Sequence, residues 1–441
     1  MTSSQNTRSL RSAFVAVTSL FFMWGFITVL VDALIPRLKE VFELTFLQAG
    51  LVQFAWFAAY GLLSIPGGNL ISRIGYQRGI LVGLATAGLG CLLFYPAAST
   101  RLYPLFLLAL FVVAGGITIL QVAANPYISV LGAEESASSR LNLSQAFNSF
   151  GTTLAPVIAA SFLLGDQILD SSAIEALSES DRMLYYANEA AAVQGPFVAL
   201  ALAFFALAFV VGRISLPKIL GEKSNSPFGQ VLKNRKLLFG AIGIFVYVGA
   251  EVALGSYMVN YGLSLNIVEE IKTSKLLGSM AGVAAFIKGI DISGLDAKGV
   301  LGALLTFYWG GAMLGRFAGS ALMQRIAPSK LLTVAALFAC SFIGLSILSH
   351  GVTALLLTLF VGFCNSIMFP TIFTLAIEDL GDLKPQGSGV LCTAIVGGAF
   401  IPPAVGALVD AAGFGVAFGL PIVCYLYIAW YSDRLVPSIQ A

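Results

Sequence analysis

Two carboxylates, Asp32 and Glu251, stand well inside long apolar runs of the chain. An ionisable side chain at the centre of a membrane helix costs about 2.5–3.5 kcal/mol on insertion scales, so each is a candidate for ion or substrate chemistry. Aligning Phe22 with Phe245 sets Trp24 against Tyr247 and Thr28 against Glu251. Trp24, Thr28 and Asp32 recur at i, i+4 and i+8 and so share one helix face, as do Tyr247 and Glu251. Each stripe carries an aromatic and an acid and is expected to face a central cavity. The plainer alternative is a buried carboxylate that pairs with a neighbour. Arg316 is the one basic residue expected within a span, and it lies near a span end, where the guanidinium can snorkel to the interface. A stable pair with either acid is not expected.

Amides form the second group. Gln121 and Asn125 are spaced i, i+4 ahead of Pro126, and Asn142, Gln145 and Asn148 follow at i, i+3, i+6, both one-face spacings. Amide side chains donate and accept hydrogen bonds, which suits a neutral polyhydroxylated ligand. A phosphate or carboxylate ligand would want Arg or Lys at mid-span, and none is found there. The alternative is interhelical glue, at about 0.6–2 kcal/mol per bond; it fits best for Asn142, which is nearest a span end. Trp56, Tyr308, Trp309 and Asn365 are further cavity candidates, although an aromatic in a span is more often packing or an interface anchor. His350, the only histidine, lies in the turn Ser349-His350-Gly351, so a histidine proton relay is not expected. Cys91, Cys340, Cys364, Cys392 and Cys424 sit singly in apolar runs, without metal-ligand spacing, and read as small apolar fillers. No span carries a nucleophile–base pair or metal cluster, which argues against an enzyme.

These residues need a membrane to position them. Of 441 residues 58% are hydrophobic and 10% charged, against about 25% charged in soluble domains. A spanning helix takes roughly 20 apolar residues. The runs place spans near 13–36, 45–71, 79–98, 103–130, 141–165, 193–213, 238–262, 299–323, 330–349, 352–377, 386–411 and 414–432. The expectation is an all-α membrane protein of twelve transmembrane helices in two pseudo-symmetric bundles. The first is residues 1–213 and the second 238–441, joined by a polar, basic linker at 214–237. A parallel repeat supports this: Gly67 to Ile74 resembles Gly319 to Ile326, and Gly151 and Pro156 match Gly398 and Pro403. With the N-terminus inside, 16 of the 24 Lys and Arg residues fall on the cytoplasmic side, so both termini are expected to be cytoplasmic. The first apolar run is long and ends on an acid, so it is expected to be a span and not a cleaved signal peptide. The acidic stretch 166–191 is expected as a solvated outer loop with short helical turns, and 263–298 as a second outer segment. A net charge of +2 is too small to suggest nucleic-acid binding.

Several segments resemble the fucose–galactose–glucose:cation symporter family of the major facilitator superfamily. They are Phe21-Phe22-Met23-Trp24-Gly25-Phe26 leading to Asp32, Gln121 to Tyr127, Arg140 to Gly151, and Tyr247-Val248-Gly249-Ala250-Glu251. The likeness covers about residues 14–435, and the second and third segments are long and specific. Ser72 stands where the superfamily's inner loop motif has Asp. The resemblance implies the major facilitator fold, alternating access, and cation-driven uptake of a hexose or deoxyhexose in a bacterial inner membrane by a functional monomer. In the fucose–proton branch a span-one Asp and a span-four Glu are the functional carboxylates. Asp32 matches the first, and Gln121 replaces the second, as in the glucose/galactose branch associated with sodium. That branch often has Asn before the Asp, where this chain has Val31. The family's span-five sugar contacts map onto Gln145 and Asn148.

Glutamine cannot carry a proton, but its carbonyl oxygen can ligate a hard cation. Sodium is therefore expected at Asp32, with Thr28, Gln121 or Asn125 as further oxygen donors. Gln121, Asn125, Gln145 and Asn148, with Tyr247, Glu251, Trp309 and Asn365 across the cavity, are expected to hold a monosaccharide. Proton coupling through Asp32 or Glu251 is the first alternative, and a sugar sensor that does not transport is an alternative of another class.

Overall fold

The computed structural model describes residues 3–42, 46–163, 176–214, 216–217, 228–287 and 295–435, and every regular element among them is helical. Helices coincide with all twelve expected spans. They are α1 (Ser3–Phe42), α2 (Phe46–Ile74), α3 (Tyr76–Thr100), α4 (Tyr103–Val130), α5 (Ala137–Leu163) and α6 (Glu179–Arg213) in the first half. The second half has α7 (Arg235–Ser264), α8 (Ala297–Leu322), α9 (Pro328–Leu348), α10 (Gly351–Asn365 and Met368–Ile377), α11 (Lys384–Thr393 and Gly397–Ala417) and α12 (Gly419–Trp430). Eight helical stretches among the described residues are long and apolar enough by themselves to cross a membrane, one of which holds both α10 and α11. The polar-faced α5 and α8 and the short α12 are not among them.

The repeat is visible in the packing. The principal pairings in the first half are α1 with α5, α2 with α4, and α3 with α4 and α6; in the second they are α7 with α11, α8 with α10, and α9 with α10 and α12. Each first-half pairing recurs six helices later, as a parallel repeat requires. At the α1–α5 crossing a methyl group on Gly151 would overlap the Phe22 carbonyl oxygen, and at the α7–α11 crossing one on Gly397 would overlap the Phe245 carbonyl oxygen. Only glycine lets helix backbones approach this closely. The Phe22–Phe245 alignment therefore stands, but Gly151 corresponds to Gly397 and not to Gly398, whose missing side chain instead accommodates the Phe57 ring.

Two segments expected to lie outside differ from expectation. Helix α6 starts at Glu179, well before 193, because the Ser178 hydroxyl caps it by accepting from the Asp181 backbone N–H at 3.2 Å. The Arg101 guanidinium lies 4.1 Å from the Tyr186 ring centroid and ties that extension to the end of α3. Residues 166–175 of the acidic stretch lie outside the described residues. The second, 263–298, contains helices Val268–Thr273 and Lys275–Ile287. Residues 215 and 218–227 of the linker are also outside the described residues, and Phe228–Lys233 forms 3-10 turns.

The two halves close on each other at the end of the bundle where α1 begins. Ser138 and Thr374 hydroxyls are 2.6 Å apart, and Ser139 and Ser320 form a reciprocal clasp in which each hydroxyl donates to the other's carbonyl, at 2.7 and 2.9 Å. Gln386 donates to Asn69 at 3.2 Å, and one ion pair, Lys384 to Glu134 at 3.5 Å, lies at the rim. A methyl group on Gly68 would stand 2.7 Å from the Pro385 carbonyl, so this seal too depends on a bare backbone. The Arg140 guanidinium holds the α4–α5 turn there, donating to the carbonyls of Ile128, Ser129 and Ala133.

Candidate binding site

Trp24 and Thr28 of the α1 stripe meet Gln121 of α4 and Asn148 of α5 in one cavity of about 470 Å³ inside the first half, a size typical of small-molecule sites. Helix α1 contributes Trp24, Gly25 and Thr28, α2 contributes Gln53, Trp56 and Tyr60, α4 contributes Ile117 and Gln121, and α5 contributes Asn148 and Thr152. The lining mixes aromatic faces with amides and hydroxyls, and among these residues there is no charged side chain.

Each polar group has a defined orientation. The Thr28 hydroxyl donates back to the Trp24 carbonyl at 2.8 Å, which turns its lone pairs outward. The Gln121 amide nitrogen donates to the Tyr60 hydroxyl and leaves the amide oxygen for another partner. The Asn148 nitrogen donates to the Phe21 carbonyl at 2.9 Å. Asp32 lies on α1, one turn beyond Thr28, but its side chain is outside the described residues.

The remaining expected site residues separate into a layer behind the cavity and a cluster in the second half. Asn125 is fully buried; its side-chain oxygen accepts from Gln145 at 3.4 Å and its nitrogen has no partner among the described residues. Neither residue lines the cavity; on α4 the residue that does is Gln121, one turn before Asn125. Asn142 is glue at the sealed end, donating to the Ser138 carbonyl at 2.9 Å and the Thr371 hydroxyl at 3.3 Å.

In the second half Tyr247, Tyr308 and Asn365 are almost wholly buried, so they brace a wall and do not form one. Tyr247 donates to the Asn365 carbonyl and Tyr308 to the Glu251 carbonyl, both at 3.2 Å, and Asn365 donates to the Tyr308 hydroxyl at 2.8 Å. Glu251 follows Tyr247 by one helical turn on α7. Trp309 is 45% exposed, stacks edge-on against Tyr308, and does not line the cavity. His350 is an exposed loop residue. Four of the five cysteines are buried and all are free, as fillers would be.

Sequence reasoning missed a correspondence between the halves. Gln121 and Asn365, on the fourth helix of each half, both donate to a tyrosine on the second, Tyr60 or Tyr308. Five residues after each amide stands a proline, Pro126 or Pro370. Proline has no N–H to offer the carbonyl four residues back, which frees the oxygens of Val122 and Ser366. Ser388 donates to the Val122 carbonyl at 2.9 Å, and Arg316 donates to the Ser366 carbonyl at 3.1 Å. The signal was present as amide-x4-Pro at both positions. Arg316 was also misjudged: it does not snorkel to the interface but reaches across to the Ser149 hydroxyl of α5. Among the described residues it forms no salt bridge. Lys236, read as a loop charge, is 1% exposed and pairs with Glu378 at 2.6 Å and Asp379 at 3.0 Å.

Comparison with known proteins agrees with this architecture. The Major Facilitator Superfamily model matches residues 13–394. A glucose/galactose transporter of Brucella abortus is 45% identical over 98% of this chain and 95% of its own length. An L-fucose-proton symporter of Escherichia coli is 34% identical over 96% of this chain and 92% of its own. The crystal structure of the transporter FucP in the outward conformation superposes with a TM-score of 0.86 at 31% identity, covering 97% of this chain and 99% of that one. The twelve helices, their repeated pairing and this match lead to one conclusion: the chain is an integral membrane protein that belongs to the major facilitator superfamily, and it is a transporter and not an enzyme.

Proposed function

We propose that the chain is a sodium-coupled symporter that takes up a hexose of the glucose/galactose type by alternating access. The observation that carries this reading is the cavity of the first half, whose described lining carries no charge: Trp24, Trp56 and Tyr60 offer ring faces and Gln53, Gln121, Asn148 and Thr152 offer hydrogen bonds. A sugar ring presents the complement, with apolar C–H faces and hydroxyls that donate and accept at its edge. Relatives named for glucose/galactose and fucose transport support the substrate class. The protein sits in a bacterial inner membrane with both termini cytoplasmic and works as a monomer of two bundles joined by 214–237. The closed end of the bundle is then the cytoplasmic one, and the cavity faces outward.

Sodium binds Asp32, with the outward lone pairs of Thr28 and the free amide oxygen of Gln121 completing its shell. One charge moving through 100 mV releases about 2.3 kcal/mol, enough for roughly 50-fold accumulation at 1.4 kcal/mol per tenfold. Asn125 and Gln145 act from behind the cavity by orienting α4 against α5. Proton coupling is the second reading; a specific observation favours it, since Glu251 is a carboxyl in the middle of α7, one turn from Tyr247.

The intrinsic fluorescence of Trp24 and Trp56 tests the reading. Titration with glucose or galactose in detergent is expected to change it saturably, with an apparent affinity several-fold tighter in sodium than in choline, and Gln121→Ala is expected to lose the sodium effect. An affinity indifferent to sodium and tightened by acid would favour the proton.

A further inference from the structure

The second half carries a recess that the sugar site does not use. A groove of about 320 Å³ runs between α8, α9 and the break of α10. Its rim is formed by Leu322, Val334, Phe338 and Phe363, each between 46% and 54% exposed. Small residues on α8 and α9, among them Ala318 and Ala335, keep it open. Its one hydroxyl, on Ser366, is buried and donates to the Phe363 carbonyl at 2.6 Å. The groove therefore offers a guest no hydrogen bond, and a polar ligand would lose its own partners on entering.

Along α9 the groove runs from Leu331 to Phe342, a rise of about 16 Å at 1.5 Å per residue. Half the hydrocarbon core of a bilayer is about 15 Å, so the groove matches the depth of one leaflet. That leaflet is the one at the sealed end, because Ser320, two residues before Leu322, belongs to the clasp with Ser139. Two cations stand at the groove's foot. Lys330 directly precedes Leu331, and Arg325 lies in the turn from α8 to α9. Both are exposed, and neither has an ion pair among the described residues. Arg325 also borders the cleft between the halves, with Glu134, Glu135 and Glu378. Glu134 and Glu378 are already paired there, with Lys384 and Lys236.

We infer that this groove binds an anionic phospholipid of the cytoplasmic leaflet. One acyl chain lies along α9 and packs on Phe363 and Ile367, and the headgroup phosphate rests on Lys330 and Arg325. Bulk lipid is as apolar as the groove, so the chain contributes fit and no hydrophobic gain. Selection comes from the headgroup, because basic residues at the cytoplasmic surface attract anionic lipid. The lipid covers one side of the break in α10, while Arg316 braces the Ser366 carbonyl of the same break. The name of the leaflet rests on the cytoplasmic termini proposed above; the site itself rests on neither the sugar nor the coupling ion.

Photo-crosslinking tests the site in the full chain. The protein is placed in phosphatidylcholine nanodiscs with a trace of phosphatidylglycerol or phosphatidylcholine that carries a diazirine midway along one acyl chain. After irradiation the marked peptides are identified by mass spectrometry. The phosphatidylglycerol probe is expected to mark residues 331–342 and 363–367 about 25-fold more than the phosphatidylcholine probe, at about fivefold for each cation. Lys330→Gln is expected to cut that preference about fivefold, and Lys330→Gln with Arg325→Gln to abolish it. Both positions are exposed, so an unchanged size-exclusion peak is expected. Ala335→Trp fills the groove and is expected to remove the mark of either probe. Equal marking by the two probes, a phosphatidylglycerol mark spread evenly over the lipid-facing helices, or a preference that survives loss of both cations would overturn the inference. None of these results would touch the assignment of sugar or sodium, which the fluorescence titration judges separately.

Discussion

At the scale of single residues the proposal concentrates on oxygens that are left free by well-defined donations. Gln121 spends its nitrogen on Tyr60, and Thr28 spends its proton on Trp24. Both therefore present acceptors, which a cation wants and which a sugar hydroxyl can also use. Asn148→Ala removes a polar contact from the cavity wall and is expected to weaken hexose affinity about tenfold, the effect of one lost hydrogen bond of about 1.4 kcal/mol; equilibrium binding of labelled sugar measures it. Gln121→Glu introduces a titratable group beside the same tyrosine. Its uptake is expected to become pH-dependent where that of the parent is flat between pH 6 and 8, as initial rates at fixed sodium would show. Asp32→Asn is expected to abolish accumulation while leaving sugar counterflow, which needs no net ion movement; unchanged accumulation would remove Asp32 from the mechanism.

At the scale of elements, glycine and proline decide how helices meet. Gly151 and Gly397 allow the α1–α5 and α7–α11 crossings, which exist in any conformation of either half. Gly151→Leu and Gly397→Leu are thus expected to prevent a stable fold and to lose the monodisperse peak in size-exclusion chromatography. Gly68 is different, because its neighbours Pro385 and Gly389 belong to the other half. Gly68→Leu is expected to fold normally but to react faster with maleimide at Cys392, buried on α11, since only the closed state suffers the clash. Lys236 fastens the start of α7 to the turn after α10, and its partners are 30% and 56% exposed. Because those acids can rehydrate, Lys236→Met is expected to destabilise by about 1–2 kcal/mol, less than the 3–5 of a fully buried broken pair, readable as a lowered unfolding temperature. Much of this layer was legible in the chain: the apolar runs located all twelve spans, and the i, i+4 spacings placed Trp24 and Thr28 on one cavity wall. Other parts were not. Single-helix periodicity cannot tell whether a polar stripe faces a cavity or a neighbouring helix, which is why Gln145 and Asn125 read as cavity contacts and Arg316 as a snorkelling charge. The register between α5 and α11 was off by one residue because two adjacent glycines, Gly397 and Gly398, satisfy the same pattern, and only the Phe245 carbonyl distinguishes them.

At the scale of the whole molecule, the two halves have the same plan and unequal equipment. The first holds a cavity whose described lining is uncharged, on the stripe that leads to Asp32; the second holds the braced cluster of Glu251, Tyr247, Tyr308 and Asn365. Between them the closed end is sealed mostly by neutral hydrogen bonds, among them Ser138 with Thr374 and Ser139 with Ser320. Each such bond contributes only about 0.5–1.5 kcal/mol net, so the seal can open and reform as alternating access demands. The central claim is that this rocking is driven by sodium and carries a hexose. Uptake of labelled galactose or glucose into proteoliposomes measures it most directly, with sodium and pH gradients imposed separately. The account predicts accumulation under an inward sodium gradient at equal pH on both sides, and none under a pH gradient in sodium-free buffer. Accumulation driven by the pH gradient alone, with no response to sodium, would contradict it.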